Sequence, residues 1–195
     1  MTDLTYIYNG QIVLETGIIW DGAIVIADGI IQAVGKEREL PCPAGATKID
    51  AKGAYVGPGF VDIHVHAGND LDDYVHPEET AEFFLNYGHT AFFPTPSYSQ
   101  NFKEIMDGIA CVKAAMPKVP TIKGIYMEGP FTNPDYGANR DINPWRHEIT
   151  PQEYEAMADL GGTDIKVWTI APERTDLLPF MAYARKVNPD VVFAL

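Results

Sequence analysis

Hydrophobic and polar positions follow two different rhythms along the chain. Over residues 1–57 the apolar residues come in short runs rich in Ile, Val and Tyr, "TYIYNGQIVLETG" and "AIVIADGIIQAVG". These runs are broken at Asn9-Gly10 and Asp28-Gly29, pairs that populate the φ > 0 conformations of tight hairpin turns, so a turn is expected at each. "PCPAGATKIDAKGAYVGPG" follows as loop and strand punctuated by Pro and Gly. This pattern predicts a small β domain over 1–57, part of a β-sandwich.

From Pro58 the rhythm becomes strand, loop, helix, repeated. The apolar runs "GFVDIHVH", "HTAFFPTP", "TIKGIYMEGP", "DIKVWTIAP" and "DVVFAL" predict five strands. Between them "PEETAEFFLNYG" reads as a helix stopped at Gly88, and "QNFKEIMDGIACVKAAMP" as one ended by Pro117. "TPQEYEAMADLGG" opens with Thr150, Pro151 and Glu153, a capping box with proline at the first helical position, and "DLLPFMAYARKVNP" carries a proline near its start. Strands alternating with helices imply parallel βαβ units and an α/β fold. A (β/α)8 barrel takes eight strands and about 250 residues, so residues 58–195 are expected to be the N-terminal part of an incomplete TIM barrel in a longer protein. A complete five-stranded open sheet is the alternative.

Two stretches carry the candidate chemistry. In "GPGFVDIHVHAG" the alternation of a strand sends Asp62, His64 and His66 to one face and Val61, Ile63 and Val65 to the other. In a barrel the apolar set would meet the helices, and the histidines would sit near the carboxyl end of the strand, where barrel enzymes place their chemistry. Imidazole nitrogen suits zinc or iron, but a catalytic zinc usually takes three protein ligands, so a third is needed. In "GIYMEGPF" Tyr126 and Glu128 face opposite to Ile125 and Met127, and Glu128 ends the strand before a Gly-Pro break. Its carboxylate would project at the same rim, and a carboxylate among apolar neighbours is costly unless paired or bound to a cation.

Charge and composition narrow the partners. With 14 Lys and Arg against 27 Asp and Glu, the net charge is −13, and no basic run interrupts it, which argues against nucleic acid or an anionic membrane surface. Nothing approaches about 18 consecutive apolar residues, and "MTDLTYIYNG" lacks the make-up of a signal peptide, so a cytoplasmic protein is expected. Cys42 and Cys111 match no metal or redox spacing and read as reduced thiols.

"PGFVDIHVH" after a small β domain resembles the opening of the amidohydrolase superfamily. "HTAFFPTP", "MEGPF" and "GAN" resemble the N-acetylglucosamine-6-phosphate deacetylases in particular, and "TIAPE" fits that family's fourth strand. The resemblance spans residues 1 to 195. It implies a metal-dependent barrel with a sandwich domain, cleaving acetate from an N-acetylated amino-sugar phosphate in amino-sugar catabolism. It implies one or two divalent ions, zinc or iron, with Glu128 as the third-strand ligand and His64 and His66 as the first-strand pair that some members use. A divalent metal lowers the pKa of its water toward about 7 and polarises the acetyl carbonyl. Ala138 matches a position that contacts substrate through its backbone. Asn139 stands where the family has histidine, beside the substrate, and Arg140 is a candidate for the sugar's phosphate. The family's catalytic aspartate and two further metal-binding histidines are implied beyond Leu195, so this chain alone is expected to be inactive. Family members are often homodimers.

His76, His89 and His147 read as residues outside the chemistry, and Trp20, Trp145 and Trp168 as packing residues. A dihydroorotase or hydantoinase, which bridges two metals with a carboxylated lysine on strand four, is the runner-up. Lys166 is the one lysine there, and about 3.3 Å per residue places it well below the rim. A non-catalytic fragment or interaction module is the alternative of a different class.

Overall fold

The structure, a computed structural model, describes residues 3–68, 71–137 and 140–195. The chain divides into two compact units, Met1–Pro58 and Gly59–Leu195.

The first unit is a single sheet of five strands, β1 (Leu4–Leu14), β2 (Gly17–Ala27), β3 (Ile30–Lys36), β4 (Thr47–Asp50) and β5 (Tyr55–Val56). Their order is β3-β2-β1-β4, with β5 also pairing with β1. Asp28 (φ 49°) and Gly29 (φ 76°) turn β2 antiparallel into β3, as the sequence predicts. Asn9-Gly10 does not form the expected turn. β1 runs straight through it, and the pairing with β2 shifts register on either side of Gly10. Asn9 keeps its left-handed backbone (φ 54°) as an irregularity inside the strand. Its amide donates to Glu37 Oε2 at 3.0 Å and its side-chain Nδ2 to Asp50 Oδ1 at 2.8 Å. Those partners lie outside β1, so the φ > 0 signal serves a bulge rather than a reversal. The reversal falls just before Gly17, where Leu14 pairs with Gly17. Tyr6, Ala23 and Val25 form a small buried cluster, and the Tyr6 hydroxyl donates to Leu40 O at 2.8 Å. Trp20 is 57% exposed, against the expectation that it packs, because it stands on the outer part of β2 where Ile18 is exposed as well.

The second unit opens with β6 (Phe60–Val65) and a short hairpin, β7 (Ala67–Gly68) and β8 (Leu71–Asp72). Then come α1 (Pro77–Asn86), β9 (His89–Pro94), α2 (Phe102–Ala115), β10 (Ile125–Met127), α3 (Pro151–Gly161), β11 (Ile165–Thr169), α4 (Leu177–Val187) and β12 (Val192–Ala194). β6 and β9 pair in parallel, as do β10, β11 and β12 in that order. A bridge from Phe92 to Ile122, just ahead of β10, puts β9 between β6 and β10. The order in space thus follows the order in sequence, as successive βαβ units dictate.

The helices start where the sequence says they should. Asn101 with Glu104 and Thr150 with Glu153 each form a complete capping box, at α2 and α3. The core lies between helices and strands: Phe131 stacks on Phe180 with ring centroids 3.8 Å apart, and Trp168 meets Phe180 edge-on at 4.8 Å. α2 approaches so closely that a Cβ on Gly108 would come within 1.9 Å of the buried Tyr74 ring.

One expectation fails on β6. Val65 is buried, but Val61 is 67% and Ile63 51% exposed, so that face does not meet helices. Among the described residues β6 pairs only with β9, and α1 packs against β9 and the β7–β8 hairpin rather than over β6. None of the helices among the described residues is long and apolar enough to cross a membrane.

Candidate metal centre

The ends of β6 and β10 bring three donors together. His64 lies on β6, His66 immediately after its last residue, and Glu128 immediately after the last residue of β10. Their ligand atoms all lie within 4.8 Å of one another. His64 Nε2 is 3.2 Å from His66 Nε2 and 3.3 Å from Glu128 Oε2, and His66 Nε2 is 3.0 Å from Glu128 Oε2. Asp62, expected on the same face, stays out of the group: its carboxylate accepts from the His64 amide at 3.0 Å.

The local backbone aims the rings. Thr95, fully buried at the end of β9, donates its amide to Val65 O at 2.9 Å and accepts from the Val65 amide at its Oγ1 at 3.2 Å. These bonds extend the β6–β9 ladder past the strand ends. They place Thr95 O 3.1 Å from His66 Nδ1. A neutral His66 that donates Nδ1–H to this carbonyl keeps a bare lone pair on Nε2. On the other strand, Tyr126 sets its ring 4.4 Å, centroid to centroid, from that of His64. The Tyr126 oxygen accepts from Thr169 Oγ1 at 3.1 Å, tying the ring to β11.

A lone pair on His66 Nε2 and the Glu128 carboxylate would repel at 3.0 Å unless a proton or a cation lay between them. Without a cation the proton does so. The hydrogen bond to Glu128 raises the His66 pKa above its usual 6.5, against the opposing pull of burial. Burial pushes the Glu128 pKa up, but its bonds and charge interactions with His66 and His64 outweigh this and leave it below the ordinary value. Two imidazoles and a carboxylate, with one ring already oriented through its far nitrogen, are a donor set that fits zinc or iron.

Asp73 lies next to this group. Its amide donates to His66 O at 3.0 Å, and among the described residues its fully buried carboxylate makes no hydrogen bond of good geometry, the Thr95 and Tyr74 amides being its nearest donors. Burial, reinforced by Asp72, pushes its pKa up to about 8. Burial thus favours the protonated carboxyl.

The other sequence candidates separate from the centre. Ala138 and Asn139 lie outside the described residues. Arg140 is exposed, and its carbonyl accepts from Arg146 Nη2 at 2.7 Å. His76 stands at the start of α1 without a capping bond from its side chain, His147 Nε2 lies 3.0 Å from Glu153 Oε1 at the start of α3, and His89 packs against the Phe60 and Phe84 rings. Lys166 donates to Thr163 O at 2.8 Å, at the opening end of β11 and away from its rim. Trp145 and Trp168 are buried, and both cysteines are free thiols. Thr95 and Asp73 are the residues that sequence reasoning passed over, and Tyr126 was placed on the right face without a role. Thr95 carried a usable signal, since it ends a strand neighbouring the HxH strand. Asp73 looked like one more charge in an acidic loop.

No family model matches the chain. An adenine deaminase of Listeria monocytogenes is 37% identical over 91 residues, 46% of this chain and 14% of that protein. The N-acetylglucosamine-6-phosphate deacetylase of Bacillus subtilis is 26% identical over 189 residues, 89% of this chain and 46% of that one. Among solved structures, a variant N-acetyl-D-glucosamine-6-phosphate deacetylase of Mycobacterium smegmatis, in complex with N-acetyl-D-glucosamine-6-phosphate, superposes with a TM-score of 0.74 at 23% identity. It covers 98% of this chain and 49% of that one, a likeness of fold. The chain thus spans about half the length of these deacetylases. Its relatives by sequence and by structure include the family that the motifs resemble.

Proposed function

We propose that the chain is part of a metal-dependent hydrolase of linear amides that removes the acetyl group from N-acetylglucosamine 6-phosphate in the cytoplasm. The observation that carries this reading is the convergence of His64, His66 and Glu128, from two strands separated by a third, with His66 oriented by Thr95. In this reading residues 58–195 supply the first five strands of a (β/α)8 barrel, and residues 1–57 part of a β-sandwich. The fold likeness to the Mycobacterium smegmatis deacetylase and the sequence likeness to that of Bacillus subtilis support it.

His64, His66 and Glu128 hold the ion, zinc or iron, as a single centre or as half of a pair. Such an ion supplies a water acidified toward about neutral pH and a positive charge that polarises the amide carbonyl. The protein's own contribution is orientation. Thr95 keeps the His66 Nδ1 proton away from the ion, so Nε2 presents its lone pair. Tyr126, braced by Thr169, limits the swing of the His64 ring. Ala138, Asn139 and Arg140 bind the sugar phosphate, Arg140 through a guanidinium whose planar fork matches phosphate oxygens. The active protein is a homodimer and uses no nucleic acid or membrane.

Acetate release from N-acetylglucosamine 6-phosphate by the zinc-loaded full-length protein tests the substrate. Ammonia release from adenine, measured alongside, tests the chemistry named by the shorter sequence likeness. Turnover of adenine without deacetylation would reject the substrate and keep the metal centre. Loss of neither activity on chelation would reject the centre itself.

A further inference from the structure

The chain that leaves Glu128 is held from outside by the connection between β11 and α4, through the Ala171 amide and the Arg174 guanidinium. After Glu128 come Gly129 (φ 113°), Pro130, Phe131 and Thr132. Thr132 closes this turn by donating both its amide, at 3.2 Å, and its hydroxyl, at 2.7 Å, to Gly129 O. The connection between β11 and α4 then clasps the turn: Ala171 donates its amide to Phe131 O at 2.8 Å, and Arg174 Nη1 donates to Thr132 O at 3.3 Å.

The same guanidinium takes hold of the far end of the long connection from β10 to α3. Nη1 donates to Trp145 O at 3.2 Å and Nη2 to His147 O at 3.0 Å. Asp176 completes the assembly, accepting from Arg174 Nε at 2.9 Å and Nη2 at 2.6 Å and from the Ile149 amide at 2.8 Å. The Arg174 and Asp176 side chains are 10% and 5% exposed. Within the connection, Arg146 binds Asp135, Pro134 O and Arg140 O.

A buried ion pair adds little net stability, because desolvation of both charges offsets their attraction. What it specifies here is geometry. A planar fork reaches three carbonyls and a carboxylate in fixed directions, which a lysine ammonium cannot imitate.

The geometry points to Arg174, oriented by Asp176, as a positioning residue for the cation site. By fixing the turn behind Glu128 it fixes the direction of the Glu128 carboxylate, and by holding residues 145–147 it sets the frame of the connection that carries Arg140. This rests on the reading that Glu128 is a ligand of the ion.

The test uses Arg174→Lys, Arg174→Met and Asp176→Asn in the full-length protein. Zinc affinity is measured by competition with a chelator, the visible absorption of bound cobalt reports coordination geometry, and hydrogen exchange follows residues 129–149. The expected result is zinc binding weakened about 10-fold or more, in line with losses seen when a group behind a ligand is removed. The cobalt spectrum should change, Lys should fail to rescue, and amide exchange should stay unaltered in β6 and β9. Variants that bind zinc as the parent does, with the parent's cobalt spectrum, overturn the proposal even if their loop exchanges faster, since the clamp is then only structural. A full-length parent protein that binds no zinc overturns the metal reading, and this inference falls with it. Should Arg174→Met fail to fold, the isosteric Asp176→Asn decides on the same two readouts.

Discussion

His66 Nε2 faces the Glu128 carboxylate at 3.0 Å, and its other ring nitrogen is already committed to the Thr95 carbonyl. A proton and a metal ion therefore compete for one gap. In the metal-free chain the pair stabilises the fold fully between about pH 4.5 and about pH 6.5, the ordinary values of a glutamate and a histidine; the contribution is lost as pH rises through the raised His66 value or falls through the lowered Glu128 one. Ion binding has the opposite sign, because the ring must give up its proton, so zinc affinity should fall as pH drops through that same value. Glu128→Gln removes the main cause of the rise. NMR titration should then show the His66 pKa lower than in the parent, and zinc binding should be lost. An unchanged His66 titration would mean that Glu128 does not set the charge of the site.

Asp73 gives a pH dependence in the acidic half of the range. A carboxyl raised to about 8 keeps its proton in the folded chain, while the unfolded chain releases it near 3.8. Between these values the folded state binds more protons, so stability falls as pH rises from about 4 to about 8. Asp73→Asn keeps the shape and removes the titration. In chelator, urea melts should show the parent losing at least about 1 kcal/mol relative to Asp73→Asn between pH 5 and pH 8, since each tenfold difference in proton affinity between the two states is worth about 1.4 kcal/mol. Parallel pH curves would mean that the buried carboxyl does not titrate in this range.

Phe180 joins α4 to the core through Phe131, Trp168, Tyr154 and Phe193 and is fully buried. Phe180→Ala should cost about 3–5 kcal/mol, the usual range for emptying such a site. The urea midpoint is the measurement, and a shift worth less than about 1 kcal/mol would show that this core collapses around the hole.

At Gly108 two effects oppose each other. Alanine in mid-helix gains roughly 1 kcal/mol over glycine from propensity. Its Cβ would, however, sit 1.9 Å from the Tyr74 ring, which is itself fully buried. Overpacking of this kind costs about 1–3 kcal/mol, so Gly108→Ala should lower the melting temperature. A raised melting temperature would mean that Tyr74 can step aside.

What the sequence made legible follows from how local each signal is. The helix start at Thr150 shows because capping is settled within four residues, and the matching box at Asn101 was there to be read but was not named. The inward aim of His64, Tyr126 and Glu128 showed in the two-residue period of their strands. Asn9-Gly10 misled because φ > 0 serves a bulge as readily as a turn, and only the partners Glu37 and Asp50 decide between them. The apolar face of Val61 and Ile63 misled because alternation says that a face is apolar, not which helix covers it. Apart from Asp176, two residues from Arg174, the partners of Thr95, Asp73 and Arg174 lie about 7 to 42 residues away along the chain, and no local pattern encodes such pairs.

The two histidines and the acid descend from strands that do not hydrogen-bond to each other, since β9 runs between β6 and β10. An ion seated on them would act as a rivet across the sheet, with β9 caught underneath. Pulling the first strand away would first require ejecting the ion, so the melting point of the chain would climb with the logarithm of free zinc. A thermal shift curve recorded against buffered zinc would read the strength of that rivet directly, with no substrate in the tube.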